Sequence, residues 1–297
     1  MSALTSTCSA GSDKYGYLPF YVDMNTYQPN WDKLTHMVYF FSDCDSNGNV
    51  LQPRNYGNFL NAKNQTKAHG KMFEIAIWNA DPAVIDNILA YHQDEFADNI
   101  VKTLQNEGAE GVILDLEYPE YYNTVTGELN APLIESFIQK LDEKMNAANP
   151  DYELGIAIGW ASDLVPQMSS KKLNEHVDKV IFMAYDYHGY VGAKSGANSP
   201  YNDPKNWDVI ESVNYISQFY DKDKIIIKLP FYCYDSVTSS GLKGSTVKSI
   251  RSIPLTKTLT NSKKYNVTWD SASHTPWYKY QKDGKYHQVW FDNARSL

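Results

Sequence analysis

Asp115 and Glu117 close an otherwise apolar run, Gly111-Val-Ile-Leu-Asp115-Leu-Glu117. Side chains alternate along a strand, so Ile113, Asp115 and Glu117 share one face, and Val112, Leu114 and Leu116 the other. Two carboxylates at the end of an apolar strand are costly to bury unless they are paired or used. Neighbouring carboxylates also perturb each other: one keeps its proton to higher pH, as a general acid requires. A structural ion pair at a strand end is the competing reading, and the pair alone leaves both open. Other chemistries lack their residues. The seven histidines show no HExxH or other ligand spacing and read as structural or surface, so no metal is expected. No CxxC pair occurs among the three cysteines, Cys8, Cys44 and Cys233, and at most one disulfide can form. There is no Gly-x-Ser-x-Gly elbow. Gly241-Leu-Lys-Gly-Ser-Thr lacks phosphate-loop spacing, and no Gly-x-Gly-x-x-Gly follows an early strand.

The elements that must position these carboxylates alternate in type. Seven short apolar runs have strand length and composition: Tyr15–Val22, His36–Phe41, Met72–Trp78, Gly111–Tyr118, Leu154–Trp160, Val180–Tyr187 and Ile225–Tyr232. Helical stripes lie between them. Phe96, Ile100 and Leu104 recur every four residues before Gly108. Ile134, Phe137, Ile138, Leu141 and Met145 form a second stripe ended by Asn149-Pro150, and Val209, Val213 and Ile216 a third. Asp81-Pro82 predicts an N-cap followed by proline at the first helical position. Alternating strands and helices with near-continuous apolar strands mean a buried parallel sheet. In a barrel built this way, residues at the carboxyl ends of strands point into the active site. Residues 236–290 break the rhythm, being polar and rich in Ser, Thr, Lys and Tyr; they predict a small inserted subdomain or long excursion after the seventh strand.

Composition narrows the partners. The 297 residues suffice for one large barrel. Net charge is −8, so a polyanion is repelled on average and nucleic acid is not expected as a partner. No apolar run reaches the roughly 18 residues of a membrane span, and Met1–Asp13 has no apolar signal core. The 23 tyrosines and seven tryptophans offer flat amphipathic rings of the kind that stack on sugar faces. Asn64-Gln-Thr and Asn266-Val-Thr are glycosylation sequons, compatible with secretion.

Glu110-Gly-Val-Ile-Leu-Asp115-Leu-Glu117-Tyr-Pro resembles the catalytic signature of family 18 glycoside hydrolases, the chitinases and their relatives, which reads Asp-Gly-x-Asp-x-Asp-x-Glu. Other segments agree in order. Tyr15-Gly-Tyr17, then Asp32-Lys-Leu-Thr-His36 leading into Val38-Tyr-Phe40, is similar to the family's first two strands. Trp78 falls where its third strand ends in Gly-Gly-Trp. Met183-Ala-Tyr185-Asp186-Tyr187 resembles the sixth-strand Met-x-Tyr-Asp, Leu229-Pro-Phe-Tyr232 the seventh strand, and Phe291-Asp292-Asn-Ala-Arg-Ser296-Leu the approach to the eighth.

The resemblance implies a (β/α)8 TIM-type barrel with a small insertion after strand 7 and the eighth strand missing from this chain. Residues 1–235 would form the barrel, and 236–297 an insertion-like segment and the C-terminal end of the same domain. It implies substrate-assisted hydrolysis of β-linked N-acetylglucosamine polymers. Glu117 would protonate the glycosidic oxygen, Asp115 orient the substrate's acetamide, and Tyr185 hydrogen-bond the acetamide oxygen. Asp186, Met183, Tyr232, Trp78, Tyr17 and Tyr118 would bind the sugar. No metal or organic cofactor is implied; the partner is an N-acetylglucosamine-containing polysaccharide or oligosaccharide, and a monomer acting outside the cell is expected. N-glycan or peptidoglycan cleavage by the same chemistry is the alternative, and a sugar-binding lectin the alternative of another class.

Five residues depart from the family pattern. Glu110 replaces the outermost Asp and keeps its charge. Ile113 stands where the middle Asp sits, removing the usual inner partner of Asp115. Ala76-Ile77-Trp78 replaces Gly-Gly-Trp, and Cys233 replaces a glycine. In the family a helix and an eighth strand carrying a tryptophan would follow Leu297.

Overall fold

The apolar runs become parallel strands, and the stripes between them become helices. The structure, a computed structural model, describes residues 13–117, 120–160, 165–203 and 207–296. The chain divides into two compact units, one of residues up to Ile156 together with His176–Asp178, the other of Ala157–Glu175 and the residues from Lys179 onward.

The first unit holds β1 (Tyr15–Pro19), β2 (His36–Asp43), α1 (Tyr56–Ala68), β3 (Met72–Asn79), α2 (Pro82–Tyr91), α3 (Gln93–Glu107), β4 (Gly111–Leu116), α4 (Asn130–Ala148) and the start of β5 (Glu153–Gly159). Its strands pair in parallel in chain order, β1 to β5. Parallel pairing in chain order, with α-helices after β2, β3 and β4, is the arrangement of a (β/α) barrel. The helix signals of this unit have their physical counterparts. Asp81 caps α2 by accepting from the Ala83 N–H, with Pro82 at the first turn. Phe96, Ile100 and Leu104 are the buried face of α3, and Gly108 ends that helix at φ +64°, where a Cβ would be strained. Burying each large apolar side chain of that stripe contributes about 1.5–3 kcal/mol. Phe96 stacks on Phe137 of α4 with ring centres 5.3 Å apart.

The second unit holds α5 (Val165–Met168), most of α6 (Lys171–His176), β6 (Lys179–Met183), α7 (Val209–Ile216) and β7 (Ile225–Lys228), with β6 and β7 parallel. Then come β8 (Tyr232–Thr238), β9 (Val247–Pro254), α8 (Leu255–Ser262), β10 (Thr268–Asp270), β11 (Thr275–Lys282) and β12 (Lys285–Trp290). These five strands form an antiparallel sheet ordered β10-β11-β12-β8-β9. Its core is Cys233, Ile253, Leu255, Tyr278, Val289 and Phe291. The β11–β12 hairpin closes on Asp283-Gly284, both with positive φ, the two-residue turn that matches strand twist.

Several predicted strands are shorter than expected, the run 15–22 among them, which stays extended only to Pro19. The run 180–187 stays extended only to Met183, because Asp186 takes the left-handed conformation at φ +66°. The run 225–232 ends at Lys228, ahead of Pro230, which has no N–H to give to a ladder. Tyr232 therefore opens the antiparallel sheet and is not part of the seventh parallel strand. The polar excursion expected after that strand is this sheet. Among the described residues there is no eighth parallel strand, and no helix is long and apolar enough to cross a membrane.

Candidate active site

The carboxyl end of β4 carries the first set of candidate residues. Asp115 is 1% exposed, and Glu117 is partly exposed just beyond the strand. The backbone of Glu117 is still held by the sheet, its N–H donating to Asn79 O at 2.8 Å. Asn79 is fixed in turn: its amide donates to Cys44 O at 3.0 Å and accepts from the Asp81 N–H at 2.8 Å. A rigid strand end of this kind limits the wander of a side chain that must meet a substrate atom. Trp78 is the register partner of Asp115 across β3–β4, and its ring packs on Phe41 with centres 4.9 Å apart. Ile113, fully buried two residues before Asp115, has Ala76 and Gly155 as its register partners, so the strands on either side present little bulk there. Tyr17 lies on β1, paired with Val38. Tyr118 lies outside the described residues.

The second set belongs to the other unit. Met183 ends β6 and is buried; Tyr185 and Asp186 follow it in the loop, both partly exposed. Asp186 is clamped. Tyr232 and Tyr234 both donate to its Oδ1, at 2.6 and 2.7 Å, and its own N–H donates to Asn198 Oδ1 at 2.8 Å. Those bonds hold a left-handed aspartate that would otherwise be strained. Asn198 also donates to Tyr232 O at 3.3 Å, closing the loop onto β8. Burial, and then the Asp186 carboxylate, push the Tyr232 hydroxyl well above its ordinary pKa, so it remains a donor. Tyr185 meets Tyr232 edge-on with ring centres 5.9 Å apart. Gly189 makes room for the clamp, since a Cβ there would lie 2.9 Å from the Tyr234 ring.

Tyr234 and Asn198 were not visible as site residues from local spacing. The available signal was period two: Tyr232 and Tyr234 must face the same way on a strand. Ligand geometry for a metal occurs at His36, Glu74 and Glu153 in the first unit, at the opposite strand ends from Asp115.

Known proteins resemble this chain in family and in fold. The profile of the glycosyl hydrolases family 18 matches residues 16–297. A cortical fragment-lytic enzyme of Bacillus cereus is 24% identical over 89% of this chain and 60% of its own length. Human di-N-acetylchitobiase is 22% identical over 67% of this chain and 54% of its own. The chain thus spans less than two thirds of the length of these curated relatives. Among solved structures, the class V chitinase of Nicotiana tobaccum superposes with a TM-score of 0.81 at 15% identity, covering 96% of this chain and 88% of that one, a likeness of fold.

Proposed function

Because this chain belongs to family 18 of the glycosyl hydrolases, we propose that it hydrolyses β-1,4-linked N-acetylglucosamine polymers, chitin or chito-oligosaccharides, with retention of configuration. The observation that carries the reading is the end of β4, where a buried Asp115 precedes a partly exposed Glu117 whose backbone is tied to β3. Glu117 gives its proton to the glycosidic oxygen as the bond from that oxygen to the anomeric carbon breaks. The substrate's acetamide oxygen attacks the same carbon from the other side and forms an oxazolinium ion. Water then opens that ion, surrendering a proton to the Glu117 carboxylate. Two inversions return the β anomer. Asp115 orients the acetamide and faces its positive charge, and Tyr185 donates to the acetamide oxygen. Asp186, held by Tyr232, offers a carboxylate to the sugar. Met183 shapes the pocket, and Trp78, Tyr17 and Tyr118 supply rings for sugar faces. Action outside the cell belongs to the same proposal, since a polymer of this kind does not cross a membrane.

A second reading is cleavage of peptidoglycan by the same chemistry. It is favoured by the similarity, over 89% of the chain, to a cortical fragment-lytic enzyme. Incubation with chito-oligosaccharides, purified peptidoglycan and an N-glycoprotein separates the readings by which substrate shortens. On the preferred one, NMR of the first product shows the β anomer and fully deacetylated chitosan is inert. An α anomer first, or brisk cleavage of chitosan, contradicts the mechanism.

A further inference from the structure

The amino ends of the parallel strands in the first unit hold a second cluster of chemistry-bearing side chains. His36 opens β2, Glu74 is the third residue of β3, and Glu153 opens β5. Each offers one ligand atom, and the three atoms lie within 4.8 Å of one another. His36 is 3% exposed and Glu74 0%. Glu74 and Asp115 belong to opposite ends of the sheet: Glu74 pairs with Gly111, and four residues further along each strand Trp78 pairs with Asp115, a separation of about 13 Å.

Thr35 fixes the ring of His36. Its hydroxyl accepts from the Lys14 N–H at 2.7 Å, lies 3.3 Å from Lys14 O, to which it donates, and lies 2.7 Å from His36 Nδ1. A hydroxyl has one proton and two lone pairs. With the proton on Lys14 O and one lone pair on the Lys14 N–H, the second lone pair is free to accept from the ring in the tautomer that carries its proton on Nδ1. In the neutral ring Nε2 then carries a lone pair. That Nε2 is buried, makes no hydrogen bond, and faces Glu153 Oε2 at 3.3 Å. A buried lone pair aimed at a partly exposed carboxylate calls for a cation between them.

The surroundings add negative charge and fix the walls. Tyr15 stacks on the His36 ring with centres 4.2 Å apart, and its hydroxyl donates to Glu153 Oε2 at 3.4 Å. Burial first, then the fields of Glu74, Glu153 and Asp13, hold that hydroxyl protonated. Gly111 leaves the space that the Glu74 carboxylate fills, since a Cβ there would lie 2.9 Å from Glu74 Oε1.

We infer that His36 Nε2, Glu74 and Glu153 form a binding site for a divalent ion of the zinc type, separate from the carbohydrate site. Ligands about 2.1 Å from a tetrahedral ion are about 3.4 Å apart. His36 and Glu153 already stand at that separation, and the triad closes on an ion with inward shifts of under about 1 Å per atom. One imidazole with two carboxylates suits zinc better than magnesium or calcium, which prefer oxygen alone. The Nδ1–H bond to Thr35 orients the ring, as outer partners of metal-bound histidines do. A bound ion would tie β2, β3 and β5 together at their amino ends, the face of such barrels that serves stability.

The test is calorimetric titration of the EDTA-treated, dialysed chain with zinc chloride. One saturable site is expected, with a thermal midpoint that rises on zinc addition. His36→Gln and Glu74→Gln should each weaken binding at least about tenfold, and Thr35→Val should weaken it by about 10- to 100-fold while leaving the ligands in place. Cobalt(II) added to the wild-type chain should give the intense visible bands of a four-coordinate site, a reading that does not depend on any variant folding. No saturable zinc binding by the wild-type chain, binding that both ligand variants retain, or a cobalt spectrum with only weak six-coordinate bands overturns the inference and leaves His36 as a proton-bridged core residue.

Discussion

Asp186 Oδ1 receives the hydroxyls of both Tyr232 and Tyr234, at 2.6 and 2.7 Å, across 46 and 48 residues of chain. Both phenols fall on one oxygen of the carboxylate, which leaves Oδ2 outside the clamp and fixes the plane in which it lies. A hydrogen bond to a charged acceptor contributes about 1.5–3 kcal/mol. Tyr234→Phe, which keeps the ring and removes one donor, should lower stability by about 1–3 kcal/mol and reduce kcat/KM on chito-oligosaccharides roughly tenfold. In the double variant with Tyr232→Phe the two losses should not add, because both act through the same oxygen. Denaturant melts and a kinetic double-mutant cycle check this; full additivity would mean that Tyr234 acts independently of Asp186.

Asp292 predicts a pH dependence of folding. Burial pushes its carboxyl from the ordinary 3.8 up to about 6, with Ser296 pulling weakly the other way. The folded state therefore binds the proton more tightly than the unfolded chain. Stability attached to this group is fully present below about pH 4 and is lost as pH rises to about 6. Asp292→Asn has no such loss. Its stability relative to wild type should improve by about 1–3 kcal/mol between pH 4 and pH 7, the upper bound following from about 1.36 kcal/mol for each pH unit between the unfolded and folded values. Urea midpoints at the two pH values measure it, and a difference independent of pH contradicts it.

Much of the frame was legible in the sequence because it is local. The α3 and α4 stripes, the Asp81-Pro82 cap and the Gly108 stop depend on neighbours within a turn or two, and each folds as its pattern dictates. The carboxylates at the end of β4 were legible for the same reason, since strand alternation alone puts Asp115 and Glu117 on one face. The clamp on Asp186 and the triad of His36, Glu74 and Glu153 were not, because their members come from distant segments and no spacing links them. Asp283-Gly284 carried a hairpin signal within a stretch whose polarity hid its strands: the outward positions of a half-exposed sheet are polar.

Ile113 bears on how Asp115 handles charge. Its register partners are Ala76 and Gly155, so a carboxylate introduced there meets little bulk on either adjacent strand. Ile113→Asp places a like charge beneath Asp115 on the same face, and the two carboxyls should titrate as a coupled pair. The variant should shift the pH optimum of kcat or raise the rate. A profile superimposable on that of the wild type would show that the residue beneath Asp115 has no influence on proton handling.

Glu117 is the acid on which the proposed chemistry depends, and Glu117→Gln reads that role directly. The glutamine keeps the shape of the side chain and the backbone bond to Asn79 O, but has no proton to give. Turnover of a chito-oligosaccharide should fall at least about 10²-fold, the scale of general acid catalysis, while calorimetry shows the oligosaccharide still bound with near-wild-type affinity. An active wild-type enzyme that loses less than tenfold on this substitution would place the acid on another residue and contradict the assignment of Glu117.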